Sequence, residues 1–109
     1  MKRFAANRVC RLSDGTILRN QVVEIDEVSR QVDRIFALEE EIRYTEWLGG
    51  IILLSNHCPV CKLQESFATF LKREQESELA ISDRLRAYHV TFFNVNTMEF
   101  TERSRIVLL

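Results

Sequence analysis

Gly49-Gly50-Ile51-Ile52-Leu53-Leu54 constrains this chain more than any other stretch. Its four branched apolar residues run without polar alternation. A strand with one wet face alternates; a strand that does not must be covered on both faces. The two glycines before it let the strand bend or let another backbone come close. The only Trp, Trp47, stands just upstream, and the polar cluster Ser55-Asn56-His57-Cys58 lies just downstream. The residues before this stretch read as β-sheet, and many of those after it read as helix.

Upstream, apolar points at Phe4, Val9, Cys10 and Leu12 lead into Ser13-Asp14-Gly15-Thr16, a hairpin signal. Gln21 to Asp26 places Val23 and Ile25 on one face and Glu24 and Asp26 on the other. Val28-Ser29-Arg30-Gln31 should turn the chain although it has no glycine. Val32 to Ala37 is the next strand, with mixed faces. Glu39-Glu40-Glu41 reads as a solvated connection.

Downstream, Pro59 suits the first turn of a helix. Leu63, Phe67, Phe70 and Leu71 then form one apolar helical face, suited to core or interface packing. The helix runs from about Val60 to Arg86, either continuous or restarted at Ser77, which can cap a second piece through Glu78, Leu79, Ile81 and Leu85. Tyr88 to Val95, Met98 to Thr101 and Arg105 to Leu109 have strand composition. Ile51, Ile52, Leu53, Val23, Ile25 and Phe92 are the expected shared core. The fold class is therefore α+β in a single domain, 1–109. A small antiparallel β-sandwich or barrel-like sheet is expected, with N-terminal strands over 1–54 and C-terminal strands over 87–109. One or two helices are inserted between them over 59–86.

Charge narrows the partners. The net charge is -1, and positive and negative residues alternate without long blocks, so nucleic acid is not an expected partner. The longest apolar run is far too short to cross a bilayer, and no apolar run comes after the basic residues at the start, so a cytoplasmic chain without membrane contact is expected. Three Cys is an odd number for a disulfide framework and fits free, buried thiols.

Ala6-Asn7-Arg8-Val9, Asp14-Gly15-Thr16-Ile17, the strand Gln21 to Asp26, Val32-Asp33-Arg34-Ile35-Phe36 and Leu48-Gly49-Gly50-Ile51-Ile52 succeed one another in an order that resembles the start of the metal-dependent amidohydrolases. Members of that family carry a metal-binding TIM barrel and a small β-sandwich, the composite domain, built from both chain ends. The C-terminal strands here are similar to those that return to the sandwich. The resemblance implies a composite domain whose barrel is replaced by a short helical insert. It also implies a missing metal site. The family's His-x-His falls on Ser55 and His57, and His57 and His89 are the only imidazoles. Catalytic zinc needs three fixed protein ligands. The expected function is thus a non-catalytic interaction or oligomerisation module rather than an enzyme. The expected assembly is a homodimer or a complex with a larger protein, and Trp47, Leu63, Phe67, Phe70 and Leu71 are the interface candidates.

A second chemistry stays open. Cys58-Pro59-Val60-Cys61 lies after an apolar strand and before a helix, the setting of a thiol redox pair whose thiolate is stabilised at a helix N-terminus. His57, Cys58 and Cys61 could alternatively supply part of a zinc site, completed by Cys10, His89 or a second subunit. The bland reading makes Cys10, Cys58 and Cys61 small buried hydrophobes and His89 a structural histidine.

Overall fold

A computed structural model describes residues 1–38, 44–62, 64–77 and 85–109. The Glu39–Glu41 connection, Leu63 and the second helical piece expected through Glu78, Leu79 and Ile81 lie outside the described residues. The elements are β1 (Lys2–Arg11), β2 (Thr16–Ile25), β3 (Val32–Ala37), β4 (Thr45–Trp47), β5 (Ile51–Ser55), α1 (Phe67–Ser77), β6 (Arg86–Val90) and β7 (Ile106–Leu108).

The strands form one seven-stranded sheet in the order β3-β2-β1-β5-β6-β7, and β4 also pairs with β1. The β1–β2 hairpin turns at Asp14-Gly15 as expected. Its Asp14 carboxylate accepts the Thr16 N–H at 2.9 Å and pairs with Arg11 at 2.9 Å. The turn between β2 and β3 does without glycine because Asp26 organises it. The Asp26 carboxylate accepts the Val28 and Ser29 N–H groups, and Arg30 takes a left-handed φ of 63°.

The sheet is mixed rather than antiparallel. Both β4 and β5 run parallel to β1, along Arg3–Ala5 and Arg8–Arg11 respectively. They behave as one long strand interrupted at Gly49-Gly50, whose φ values of 68° and 61° break the extended backbone. The Asn7 side chain closes the gap, its Oδ1 accepting the Gly50 N–H at 3.0 Å. The sheet is not closed into a barrel, since β3 and β7 end it. It does bend enough for Gln31 to bridge Arg86 and for the Val32 N–H to donate to the Leu85 carbonyl at 2.8 Å.

Ile51 to Leu54 is buried throughout, on both faces, as its unbroken apolar run requires. Its alternate side chains enter two separate layers. Ile51 and Leu53 join Cys10, Leu12, Tyr88, Val90 and the helix residues Phe67 and Phe70. Ile52 and Leu54 join Phe4, Val9, Val23 and Ile25 on the opposite face. The expected core set is therefore divided between two layers, and Phe92 leaves it altogether at 64% exposure. The reason is local. β6 ends at Val90, and Phe92 has a left-handed φ of 51°, so Phe93 turns inward in its place. Phe93 meets Phe67 and Phe100 edge-on, with ring centroids 5.4 Å away in each case. The strand expected at Met98 to Thr101 reduces to one bridge, Asn94 to Glu99, and Phe100 joins this aromatic group.

Among the described residues there is a single helix, and it starts seven residues later than Val60. Ser66 sets the start, its Oγ accepting the Thr69 N–H at 3.1 Å. Ser77 is the last residue of that helix. No helix among the described residues is long and apolar enough to cross a membrane.

Candidate functional site

β5 delivers Ser55 and, two residues on, His57 to the end of the apolar stripe of α1, where Glu74 lies. The His57 N–H donates to Ser55 Oγ at 3.2 Å. Its ring places Nδ1 3.0 Å from Asn56 Oδ1 and Nε2 2.8 Å from Glu74 Oε2. Glu74 is 2% exposed, and its other oxygen accepts the Val60 N–H at 3.2 Å and an Arg73 N–H at 3.1 Å. Arg73 also grips Glu65 through two hydrogen bonds, at 3.1 and 2.6 Å, and donates to the Val60 carbonyl. These hydrogen bonds hold the Glu65 carboxyl below its ordinary range and raise Arg73 in turn. The network thus ties the irregular segment 58–62 to the helix. Glu74 was the residue sequence reasoning missed. Its signal was position, since it continues the apolar helical stripe of Phe67, Phe70 and Leu71 at spacings of four and three.

A Ser–His–carboxylate row suggests nucleophilic catalysis, and here the geometry opposes it. Ser55 is fully buried at the end of β5 and lies 3.5 Å from His57 Nδ1, where no substrate carbonyl can reach it.

His57 is turned to Glu74 rather than toward the cysteines, and both its ring nitrogens already have partners. Among the described residues, no three side chains of His, Cys, Asp and Glu converge in a way that could hold a metal ion, so His57, Cys58 and Cys61 are not assembled as a zinc site. The thiols also lack the expected helix N-terminus. α1 begins six residues after Cys61, and Ser66 occupies its cap. All three cysteines are free. Cys58 is exposed rather than buried, with Sγ 3.7 Å from the Pro59 carbonyl. Burial and then the Glu65 carboxylate push the Cys61 thiol up, which works against a reactive thiolate. Cys10 is a core thiol, pushed up to about 12 chiefly by burial. Cys61 edges a cleft of about 730 Å³ between the 61–65 segment and the 100–105 loop. The hydroxyls on that loop are already used, since Thr101 and Ser104 both donate to the Phe92 carbonyl. His89 lies within β6, half-buried, and desolvation lowers its pKa while a bond to the Gly49 backbone partly opposes the shift. It reads as a structural histidine.

The interface candidates fall into two groups. Phe67 and Phe70 are buried in the chain's own core, so the helix face packs inward and is not available to a partner; Leu71 is half-buried beside them. Trp47 remains, 52% exposed. It lies opposite Ala5, which lies opposite Val22, which lies opposite Phe36, so the four side chains share one outer face of the sheet. The neighbouring row on that face is Thr45, Arg3, Glu24 and Arg34. Arg3 and Arg34 both donate to the Glu24 carboxylate, at 2.8 and 3.3 Å, and Arg34 stacks over the Phe36 ring at 4.8 Å. Ala5 and Val22 are fully buried yet belong to neither core layer. They lie between the two aromatic residues of their own row. No family model, no curated protein and no solved structure matches the chain.

These ion pairs carry a pH prediction. Arg3 holds the Glu24 carboxyl below its ordinary value of 4.5, and backbone N–H groups hold Asp26 below its ordinary 3.8. The Thr16 N–H and then Arg11 bring Asp14 to about 2. A carboxyl whose pKa is depressed by folding stabilises the fold above its unfolded value and loses that contribution as pH falls through the folded one. His89, lowered by desolvation, acts in the same direction below its ordinary 6.5, because unfolding frees it to take up a proton. Urea midpoints should therefore decline as the pH drops below about 6.5, and further as it falls from 4.5 through the carboxylate range toward about 2. A midpoint that holds steady throughout that range would show that these pairs contribute nothing.

Proposed function

We propose that the protein is a non-catalytic interaction or oligomerisation module, similar in build to the composite domain of the amidohydrolases without its barrel. The observation that carries this reading is the Trp47–Ala5–Val22–Phe36 row. It is an aromatic-edged strip on an outer sheet face, with the chain's only Trp half in water. Large exposed aromatics flanked by Arg are the groups that anchor protein interfaces. In the family it resembles, the small sandwich packs against a barrel, so a surface of this kind has a place there. The bend that brings Gln31 to Arg86 supports a barrel-like or sandwich-like arrangement of the sheet. The partner is a second copy or a larger protein.

Two measurements test it. Light scattering at tens of micromolar protein should give a mass above that of the 12.8 kDa monomer; a monomer mass would overturn the homodimer. Trp47→Ser should keep the unfolding free energy within about 1 kcal/mol, since a half-exposed interface residue is not needed by the monomer's core. A loss above about 3 kcal/mol would make Trp47 a core residue and remove its proposed role.

A further inference from the structure

β7 ends the sheet, and its other side has no strand among the described residues. Its register with β6 pairs Leu108 with Tyr88, Val107 with His89 and Ile106 with Val90. The Leu109 N–H donates to the Ala87 carbonyl and the Thr91 N–H to the Arg105 carbonyl. Hydrogen-bonded positions alternate along an antiparallel pair. Arg105, Val107 and Leu109 therefore direct their backbone groups to β6, while those of Ile106 and Leu108 point outward. The side chains on this edge are Ile106, Val107 and Leu108. Val107 is 46% and Leu108 41% exposed. The strand carries no charge, proline or bulge; its one protection against pairing is its length of three residues, so it can take only a short partner.

Resting on the homodimer reading above but on a contact other than its Trp47 face, we propose that β7 pairs antiparallel with β7 of a second copy, about a two-fold axis at Val107. Antiparallel pairing of a strand with itself meets the symmetry of a closed dimer. Among registers that bring outward groups against outward groups, this one uses all of those on Ile106 and Leu108. Ile106 exchanges both hydrogen bonds with the partner's Leu108, and Leu108 does the same with the partner's Ile106. The same register covers the exposed side chains. Leu108 lies beside the partner's Ile106 on the face where Ile106 packs against the helix-side core, and the two Val107 side chains meet on the other face. No charged side chain enters the three paired positions, so nothing repels. The contact is short, well below the ~1,000 Å² of a stable interface, so the dimer is weak and concentration-dependent. The Trp47 face lies on β4 and stays open in this dimer.

The register makes the test specific. Val107 opposes itself in a non-hydrogen-bonded pair, where Cβ atoms lie about 4.5–5.5 Å apart, close enough for a disulfide after small adjustment. In a background with Cys58→Ser and Cys61→Ser, Val107→Cys should cross-link covalently under mild oxidation, and Ile106→Cys should not. Val107→Lys places two like charges on the axis, and Leu108→Pro removes an outward N–H without touching the β6 ladder. Each should raise the dimer dissociation constant at least tenfold in sedimentation equilibrium, with unchanged circular dichroism. A wild type that dimerises, with both variants dimerising as tightly and Val107→Cys uncrosslinked, would overturn edge pairing while leaving the homodimer intact. Cross-linking through Ile106→Cys instead would overturn the register. A wild type that stays monomeric throughout would overturn the homodimer itself.

Discussion

Phe70→Ala is expected to destabilise the protein by about 3–5 kcal/mol, among the largest losses of any core truncation here. Phe70 is fully buried and is the largest such side chain. Its ring meets Phe100 edge-on at 5.1 Å and Phe67 at 6.0 Å, so it joins the helix to both the sheet and the 92–101 loop. The helix offers little to replace it. Eleven residues form a marginal helix on their own, and packing of the apolar face supplies most of its stability. Phe92→Ala is the control, since it removes as many atoms from an exposed ring. Urea denaturation of the two variants should differ by several-fold in lost stability. A loss below about 1 kcal/mol for Phe70→Ala would mean that α1 is not seated on the sheet.

Glu74→Ala should cost about 2–4 kcal/mol. The carboxylate is buried and receives His57, Arg73 and the Val60 N–H, so its removal orphans three donors at once. The loss is smaller than for a fully enclosed ion pair because Arg73 keeps Glu65 and the His57 side chain is 35% exposed to water. Glu74→Gln preserves the shape and should recover part of the loss. Limited proteolysis is a second readout, since the segment 58–62 should become cleavable in Glu74→Ala before the sheet unfolds. Equal stability of Glu74→Ala and wild type would show that the network is ornamental.

Much of the sheet could be read from local chemistry. Asp14-Gly15 marked a hairpin, and the unalternating Ile51 to Leu54 marked a strand covered on both faces; both are intrinsic to a few adjacent residues. The parallel pairing of β5 with β1 was not legible, because direction is set by partners distant in sequence. The helix start was misplaced because Pro59 is permitted at a first turn but does not demand one, whereas Ser66 supplies a cap. Phe92 and Phe93 differ only by a left-handed residue after Val90, which period-two patterning cannot register. At the candidate site, His57 and the two cysteines were visible as residue types. Their failure to converge was not, since it depends on Glu74, a carboxylate placed on an otherwise apolar stripe. Trp47 stood out as the lone Trp beside the glycines, but its half-exposed place in the Ala5–Val22–Phe36 row needed the register of four strands.

The interruption of the long strand at Gly49-Gly50 bears on how the chain assembles. β1 finds β2 across a short turn, but Arg8 must wait for Ile51, forty-three residues further on, before the middle of the sheet exists. Closing so long a segment loses entropy before any contact rewards it. This topology predicts that the β1–β5 encounter comes later than the quick local hairpin. Until that encounter, the apolar run Ile51 to Leu54 lacks the cover that β1 and β2 give its Ile52 and Leu54 face. The nascent chain is most exposed to mispairing in its most hydrophobic segment, which the left-handed glycines separate from the β4 residues that register on the same strand.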